Sequence, residues 1–386
     1  MKRQKYNSSA QLCKMIDLFT IIFTCIPTIL LWSFSAYAAA PSISSVSGSV
    51  IQGQNLVISG KYFGTKSPVT PWLYDDFESG ASNGLSATGR SSTVGNHSWQ
   101  YYDMNGGGGP TNYDNSQNFN GNYSVTEING GNGNNLWVGG QATQQRYVSY
   151  RFRYSGNLTG GYVWKFDRTT SGLNNQGNEN PPYDAFPNFG FGNLDGGYFN
   201  NGDGNFYNYK GWPTVGAANT WHRIEDYFTM STKGVSNGTM QIWVDNLLNT
   251  NYVNNLMTCS NSASVCQIDT WMMPLMANDT SSLQTWVDDV YIDNTLARIE
   301  VCDSPTWANR TKCVLQIPNT TWNDNTIQAK VVQGQFGSGA VAYLFVIDGS
   351  GNVSNGQPIT FGSGGSTPPP TVVNSPTGLK IVTTLP

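Results

Sequence analysis

Between residues 71 and 298 nearly every recognisable element is a run in which apolar and polar residues alternate with a period of two. Residues 146–154 (RYVSYRFRY), 161–168 (GYVWKFDR), 221–230 (WHRIEDYFTM), 239–245 (TMQIWVD) and 285–292 (TWVDDVYI) each read as a strand with one apolar or aromatic face. Gly- and Asn-rich turns separate them, and residues 105–110 and 129–135 are Gly/Asn loops. No segment shows the 3.6-residue period of an amphipathic helix of ordinary length, and no fixed-period repeat occurs. The pattern predicts an all-β protein.

The same alternation runs through two flanking stretches far apart in the chain: residues 41–64 (PSISSVSGSVIQGQNLVISGKYFG) and residues 322–362, which open on WNDNTIQAK and carry AVAYLFVID. Together they resemble the beginning and end of an IPT/TIG domain, an immunoglobulin-like β-sandwich. The resemblance implies one small sandwich built from residues 41–70 and 297–362, with residues 71–296 inserted between its strands. Arg298-Ile299-Glu300 and Val314-Leu315-Gln316-Ile317 would resume that sandwich.

The inserted block resembles the concanavalin A-like jelly roll shared by laminin-G modules, legume lectins and several polysaccharide lyases. Residues 219–246 (NTWHRIEDYFTMSTKGVSNGTMQIWVDN) match its recurrent hairpin, and residues 286–294 (WVDDVYIDN) match its closing strand. The expected architecture is therefore a concanavalin-like jelly-roll sandwich inserted into an Ig-like (IPT/TIG) β-sandwich. These motifs specify architecture more than activity.

The N-terminus adds a location. Lys2, Arg3, Lys5 and Lys14 precede an apolar run over residues 18–34 and then Ala36-Tyr37-Ala38. That order reads as a signal peptide, residues 1–38, with an uncleaved anchor as the rival. Cleavage leaves a secreted or cell-surface protein with no membrane span. Residues 363–386 form a Gly/Ser- then Pro-rich tail that reads as a linker. Charged residues make up 11% of the chain and its net charge is −4, so it lacks the clustered cations that nucleic acid requires. Beyond the signal segment four cysteines form two close pairs, Cys259 with Cys266 and Cys302 with Cys313. In an exported chain these close two local loops as disulfides. A zinc site is the rival, but no histidine lies near either pair in sequence.

Three constellations carry candidate chemistry. The block opens on Asp75-Asp76-Phe77-Glu78 and closes on Asp288-Asp289. First and last strands of a jelly roll usually pair, and hard oxygen ligands suit calcium; Asp76, Glu78 and Asp289 are the candidate ligands of a structural calcium, against a plain solvated edge. The second set is aromatic and cationic: Arg151, Arg153, Lys165, Asp167, Tyr207, Tyr209 and Trp212. Sugars present apolar ring faces and hydroxyls, so their grooves combine flat aromatics with charged or amide groups. Alternation puts Arg151 and Arg153 on one face and Tyr150 on the other, and likewise Lys165 with Asp167, opposite Arg168. An ordinary core face backed by a solvated one is the competing reading.

The third set is catalytic. A lyase acting on an acidic glycan needs a uronate neutraliser, a base and an acid, roles that His97, Tyr150, Arg151 and Lys165 would fill. His222 reads as a surface-facing strand residue. The Arg-rich and Gln-Ile-His strands of the common alginate lyases of this fold are absent, as is the Glu-x-Asp-x-x-Glu strand of its glucanases. The sequence therefore favours non-catalytic binding of an extracellular or cell-surface polysaccharide through the jelly-roll groove. A polysaccharide lyase working by β-elimination is the alternative. A structural or adhesive protein with a protein partner is the third.

Overall fold

The computed structural model describes residues 39–103, 111–128, 134–155, 163–165, 167–170, 184–190, 195–200, 206–209, 217–263, 265–273, 276–277 and 284–362. The expected signal peptide, the tail and Trp212 lie outside them. All regular structure among the described residues is strand, apart from a 3-10 turn at Trp307–Asn309. No helix there is long and apolar enough to cross a membrane.

The chain is an all-β jelly-roll protein made of stacked sheets. One unit is a run of seven strands drawn from both ends of the chain, in the order Ser42–Gly48, Asn55–Lys61, Thr326–Lys330, Cys313–Trp322, Arg298–Cys302, Val341–Ile347, Gln357–Thr360. Strands distant in sequence pair antiparallel here, with Leu56 opposite Ala329 and Ile58 opposite Ile327. Near the two edges of that run, Asn355 Oδ1 accepts a hydrogen bond from the Ile43 N–H at 2.9 Å. Ile43, Val46, Leu56, Ile58, Ile299 and Leu344 share its core. Each such burial contributes about 1.5–3 kcal/mol before conformational entropy is charged against it.

Residues between those ends form two further sheets. One has eight strands; its central ones are Gly238–Val244, His222–Thr229, Gln145–Tyr154 and Gln284–Asp293. The other has nine; its inner ones are Asp184–Gly190, Arg168–Thr170, Ile268–Met272 and Asn134–Thr143. Val148, Tyr150 and Phe152 of the first sheet meet Leu136, Val138 and Trp271 of the second in a dry core with Phe77 and Trp99. The period-two reading holds along Gln145–Tyr154. Its even positions face this core, and its odd positions Tyr147, Ser149 and Arg151 face the seven-stranded unit.

Opening and closing strands of the block pair, with Asp75 opposite Val290 and Tyr74 opposite Tyr291. A bulge interrupts the closing strand beside Asp288, and Asp289 takes a left-handed φ of 50° there. Both expected disulfides are present, Cys259–Cys266 and Cys302–Cys313.

Candidate functional site

The two sheets of the jelly roll each have one face turned away from the shared core, and only one of those faces is covered by the seven-stranded unit. On the eight-stranded sheet Tyr147, Arg223 and Glu225 point outward into Arg298 and Glu300 of that unit. Arg223 Nη1 donates to Glu300 Oε2 at 2.7 Å, Arg298 Nε donates to Glu300 Oε1 at 2.7 Å, and the Tyr147 hydroxyl donates to Glu225 Oε1 at 2.6 Å. Burial pushes the Glu300 carboxyl up, but the Arg223 and Arg298 guanidiniums outweigh it and hold the group well below the ordinary carboxylate range. Arg151 belongs to the same covered face. Its guanidinium lies 4.1 Å over the Phe119 ring, and Nη2 donates to the Cys313 carbonyl.

The expected groove therefore does not form on the Arg151–Arg153 side. Arg153 stacks over Trp286 at 5.7 Å and donates to the Asn219 carbonyl, so it too serves packing. Asp167 lies on the other sheet and faces the interior, 1% exposed, where its Oδ2 accepts from Trp271 Nε1 at 2.8 Å. Burial raises the Asp167 carboxyl above its usual range, and the adjacent Asp226 rises for the same reason and through repulsion from Asp167. Two facing carboxylates in a dry core share a proton more readily than they ionise together. Tyr150 is fully buried beside them, and burial raises its hydroxyl pKa further.

Nor do the four candidate catalytic residues meet. Tyr150 and Arg151 are neighbours on a strand and so face opposite sides of the sheet. His97 packs against Trp72 with ring centroids 4.5 Å apart, and burial lowers its pKa. Lys165 stands on the nine-stranded sheet, opposite Asn188 in register. His222 is buried rather than surface-facing: its Nδ1 lies 2.7 Å from Asp245 Oδ2, and Nε2 lies 3.0 Å from the Ala217 carbonyl.

The acidic bookends come together as expected of paired end strands, yet their carboxylates are taken up by protein donors. Asp76 Oδ1 accepts from Thr93 Oγ1 at 2.7 Å, and Glu78 Oε1 accepts from the Asn122 and Tyr123 N–H groups at 2.6 and 2.7 Å. Asp289 Oδ1 accepts from the Tyr74 hydroxyl at 3.0 Å. Asp76, Glu78 and Asp289 do not converge on one point. Among the described residues the one set of three ligand groups within 4.8 Å is Glu300 with Cys302 and Cys313. Those sulfurs are bonded to each other, so they offer no thiolate ligands.

The other face turned away from the shared core belongs to the nine-stranded sheet. Register pairs Met272 with Arg168 on one side and with Trp137 on the other, and Thr270 with Thr170 and Gly139. Because Trp271 faces the core, these residues face away from it. Gly139 matters to the shape. A Cβ there would come within 2.8 Å of Thr270 Oγ1 and 3.2 Å of the Trp137 ring, so the missing side chain lets Trp137 lie along the sheet. Trp137 is half-buried, while Arg168, Thr170, Thr270 and Met272 are buried although they lie on the face away from the core.

Register also corrects the alternation expected at Lys165. Asn188 pairs with Lys165 and Asp184 pairs with Thr170, an even spacing along one strand, so Lys165 shares a face with Thr170 and Arg168. Asp167 directly precedes Arg168 and bonds the core-facing Trp271, so it lies on the opposite face. Tyr207 and Tyr209 pair with Phe199 and Gly197, on the face opposite Lys165. The sequence reading places Arg168 beside Lys165 and Asp167 in its aromatic and cationic set, but does not single out Trp137. The Trp-x-Gly run at Trp137–Gly139 was the available signal.

No model of a known protein family matches the chain, and no curated protein does. Solved structures similar to it include alginate lyase Aly36B, at 10% identity and a TM-score of 0.35, covering 58% of this chain and 97% of that one. The marine PL-14 alginate lyase from Aplysia kurodai gives 12% and 0.36 over 48% and 87%. The cellulose-induced protein Cip1 gives 18% and 0.37 over 58% and 97%. Likenesses of this size carry no argument about activity.

Proposed function

We propose that this is an exported protein that binds an extracellular polysaccharide, without cleaving it, on the outer face of its nine-stranded sheet. The observation that carries the reading is Trp137, half-buried on that face over Gly139, beside Arg168, Thr170 and Thr270, which are buried on the same face. A flat aromatic bordered by hydroxyls and a cation suits a sugar ring, whose apolar face stacks while its hydroxyl or carboxylate groups are hydrogen-bonded. Lys165, on the same face in register, adds a second cation for an acidic glycan. The two disulfides fit an oxidising compartment.

The seven-stranded unit serves as an IPT/TIG-like mount in this reading. It covers the opposite sheet and is held there by the Arg223–Glu300–Arg298 ion pairs. Arg151 and Arg153 belong to that mounting side and leave the ligand set.

Binding is tested by retention on gels of neutral and acidic polysaccharides, with ultraviolet absorbance of the mixtures followed in parallel. Trp137→Ala is expected to weaken retention ~10-fold or more. Unsaturated product accumulating on an acidic glycan, and lost with Lys165→Ala, would replace this reading with a β-eliminating lyase. Retention on no glycan, with no product, would leave an adhesive or structural role.

A further inference from the structure

A recess lies away from the proposed sugar face, where the two sandwiches meet. It is a cleft of about 250 Å³ whose walls include Gln241, Trp243 and Glu225 from the eight-stranded sheet. Arg298, Trp307 and Arg310 line it from the seven-stranded unit. Neither sandwich makes it alone.

The loop that supplies Trp307 and Arg310 is built to hold them still. Cys302 and Cys313 close it at its base. Within it Asp303 Oδ1 accepts from the N–H groups of Thr311 and Lys312 at 2.9 and 3.0 Å. The Arg310 guanidinium lies 3.6 Å over the Trp307 ring and its Nη1 donates to the Trp307 carbonyl at 2.6 Å. The Trp307 ring also meets the Phe345 ring edge-on, with centroids 5.4 Å apart. A guanidinium fixed in this way loses little freedom when it takes a partner.

Charge pairing shows which group in the cleft lacks one. Arg298 is spent on Glu300 and on the Leu296 carbonyl. Glu225 accepts through Oε1 from the Tyr147 hydroxyl and lies 3.1 Å from Arg223 Nη2. Among the described residues Arg310 has no acidic partner, and its Nε is buried with no hydrogen-bond partner at all. A buried donor left unpaired is costly, and an acceptor that reached this guanidinium would recover part of that cost. Across the cleft stands the half-buried indole of Trp243, with Gln241 beside it.

We propose that this cleft binds one acidic sugar residue, with its carboxylate on Arg310 and its ring against Trp243. The volume lies below the range of about 300–1,000 Å³ typical of drug-sized ligands, which limits the occupant to a single ring. A carboxylate satisfies Arg310. A hydroxylated ring with an apolar face satisfies Gln241 and Trp243. Such a site would grip a chain end or a side branch, and it does not depend on the sheet face proposed above.

The test is titration calorimetry of the intact chain with glucuronate, glucose and acetate, in wild type and in Trp137→Ala. Glucuronate is expected to bind both proteins alike. Arg310→Gln is expected to weaken it ~10-fold or more, and Trp243→Leu to do the same while leaving the fold intact. Tryptophan fluorescence of the wild type, titrated with glucuronate, gives a readout that needs no variant. Equal affinity for acetate would reduce the cleft to an anion site. Equal affinity for glucose would remove the role of Arg310. Absence of glucuronate binding, or binding lost in Trp137→Ala and kept in Arg310→Gln, would overturn the proposal.

Discussion

Arg223 Nη1 donates to Glu300 Oε2 at 2.7 Å between two side chains that are 2% and 0% exposed. One residue comes from the strand His222–Thr229 of the jelly roll, the other from Arg298–Cys302 of the seven-stranded unit. With Arg298 on the second Glu300 oxygen and Glu225 beside Arg223, a closed ion network joins the two sandwiches. Such a network adds little net stability against an apolar replacement. Breaking it from one side is costly, because it strands a buried charge.

Glu300→Gln is accordingly expected to destabilise the protein by about 3–5 kcal/mol, read from the midpoint of denaturant unfolding. It should also separate one transition into two, as the sandwiches lose the charge that joins them. Unfolding that stays single and shifts by under about 1 kcal/mol would contradict this role.

Stability should peak in mildly acidic solution. Burial raises Asp75, against the Trp99 hydrogen bond, to about 7, and raises Asp293, against Lys66, to about 6. A raised carboxyl stabilises the fold fully below its ordinary value of 3.8 and loses that contribution as pH climbs through 6 and 7. Glu300 acts in the opposite sense. Its depressed carboxyl contributes above its ordinary 4.5 and loses that contribution as pH falls. The melting temperature should therefore be highest near pH 4, between the ordinary values of about 3.8 and 4.5, and fall as pH climbs toward 7; a maximum above pH 8 would refute the assignment.

Removing the Cys302–Cys313 bridge by paired substitution to Ala should cost about 2–4 kcal/mol, since it closes a loop with a sequence separation of 11. The same change frees the loop bearing Trp307 and Arg310, so glucuronate affinity should fall with it. Melting curves and calorimetry on the same variant check both effects.

Trp271→Phe keeps most of the ring volume but removes the donor to Asp167 Oδ2. Leaving that buried oxygen short of a partner should cost about 1–3 kcal/mol. Trp271→Phe combined with Asp167→Leu should recover part of the loss, a double-mutant comparison made in urea.

Gly139→Val probes the proposed sugar face without touching Trp137 itself. A Cβ at Gly139 collides with Thr270 Oγ1 and crowds the Trp137 ring, so the indole must lift. Polysaccharide retention should fall about as far as in Trp137→Ala, ~10-fold, while circular dichroism retains the strand signal. Unchanged retention would mean that the ring is not the platform.

Much of the architecture was legible from alternation. The strand Gln145–Tyr154 shows its two faces in its letters, and the paired acidic ends follow from first and last strands being neighbours. The cysteine pairs were readable from their short separation. What misled was the meaning of a polar face. Arg151 and Arg153 look like groove residues because charge on a strand face normally meets water; here Arg151 packs against the seven-stranded unit. Lys165 and Asp167 look like face-mates by spacing, but register puts Lys165 with Arg168 and Thr170, while Asp167 turns inward to Trp271.

The sequence by itself determined the local elements, because strand periodicity, turn residues and cysteine spacing act within a few residues of chain. Only the tertiary structure decided which polar face is buried and which is free. That choice depends on Glu300 and Arg298 arriving against Arg223 and Glu225, residues far apart in the chain whose charges are tolerated in the interior only when brought together. The same packing sets Trp243 across a cleft from Arg310.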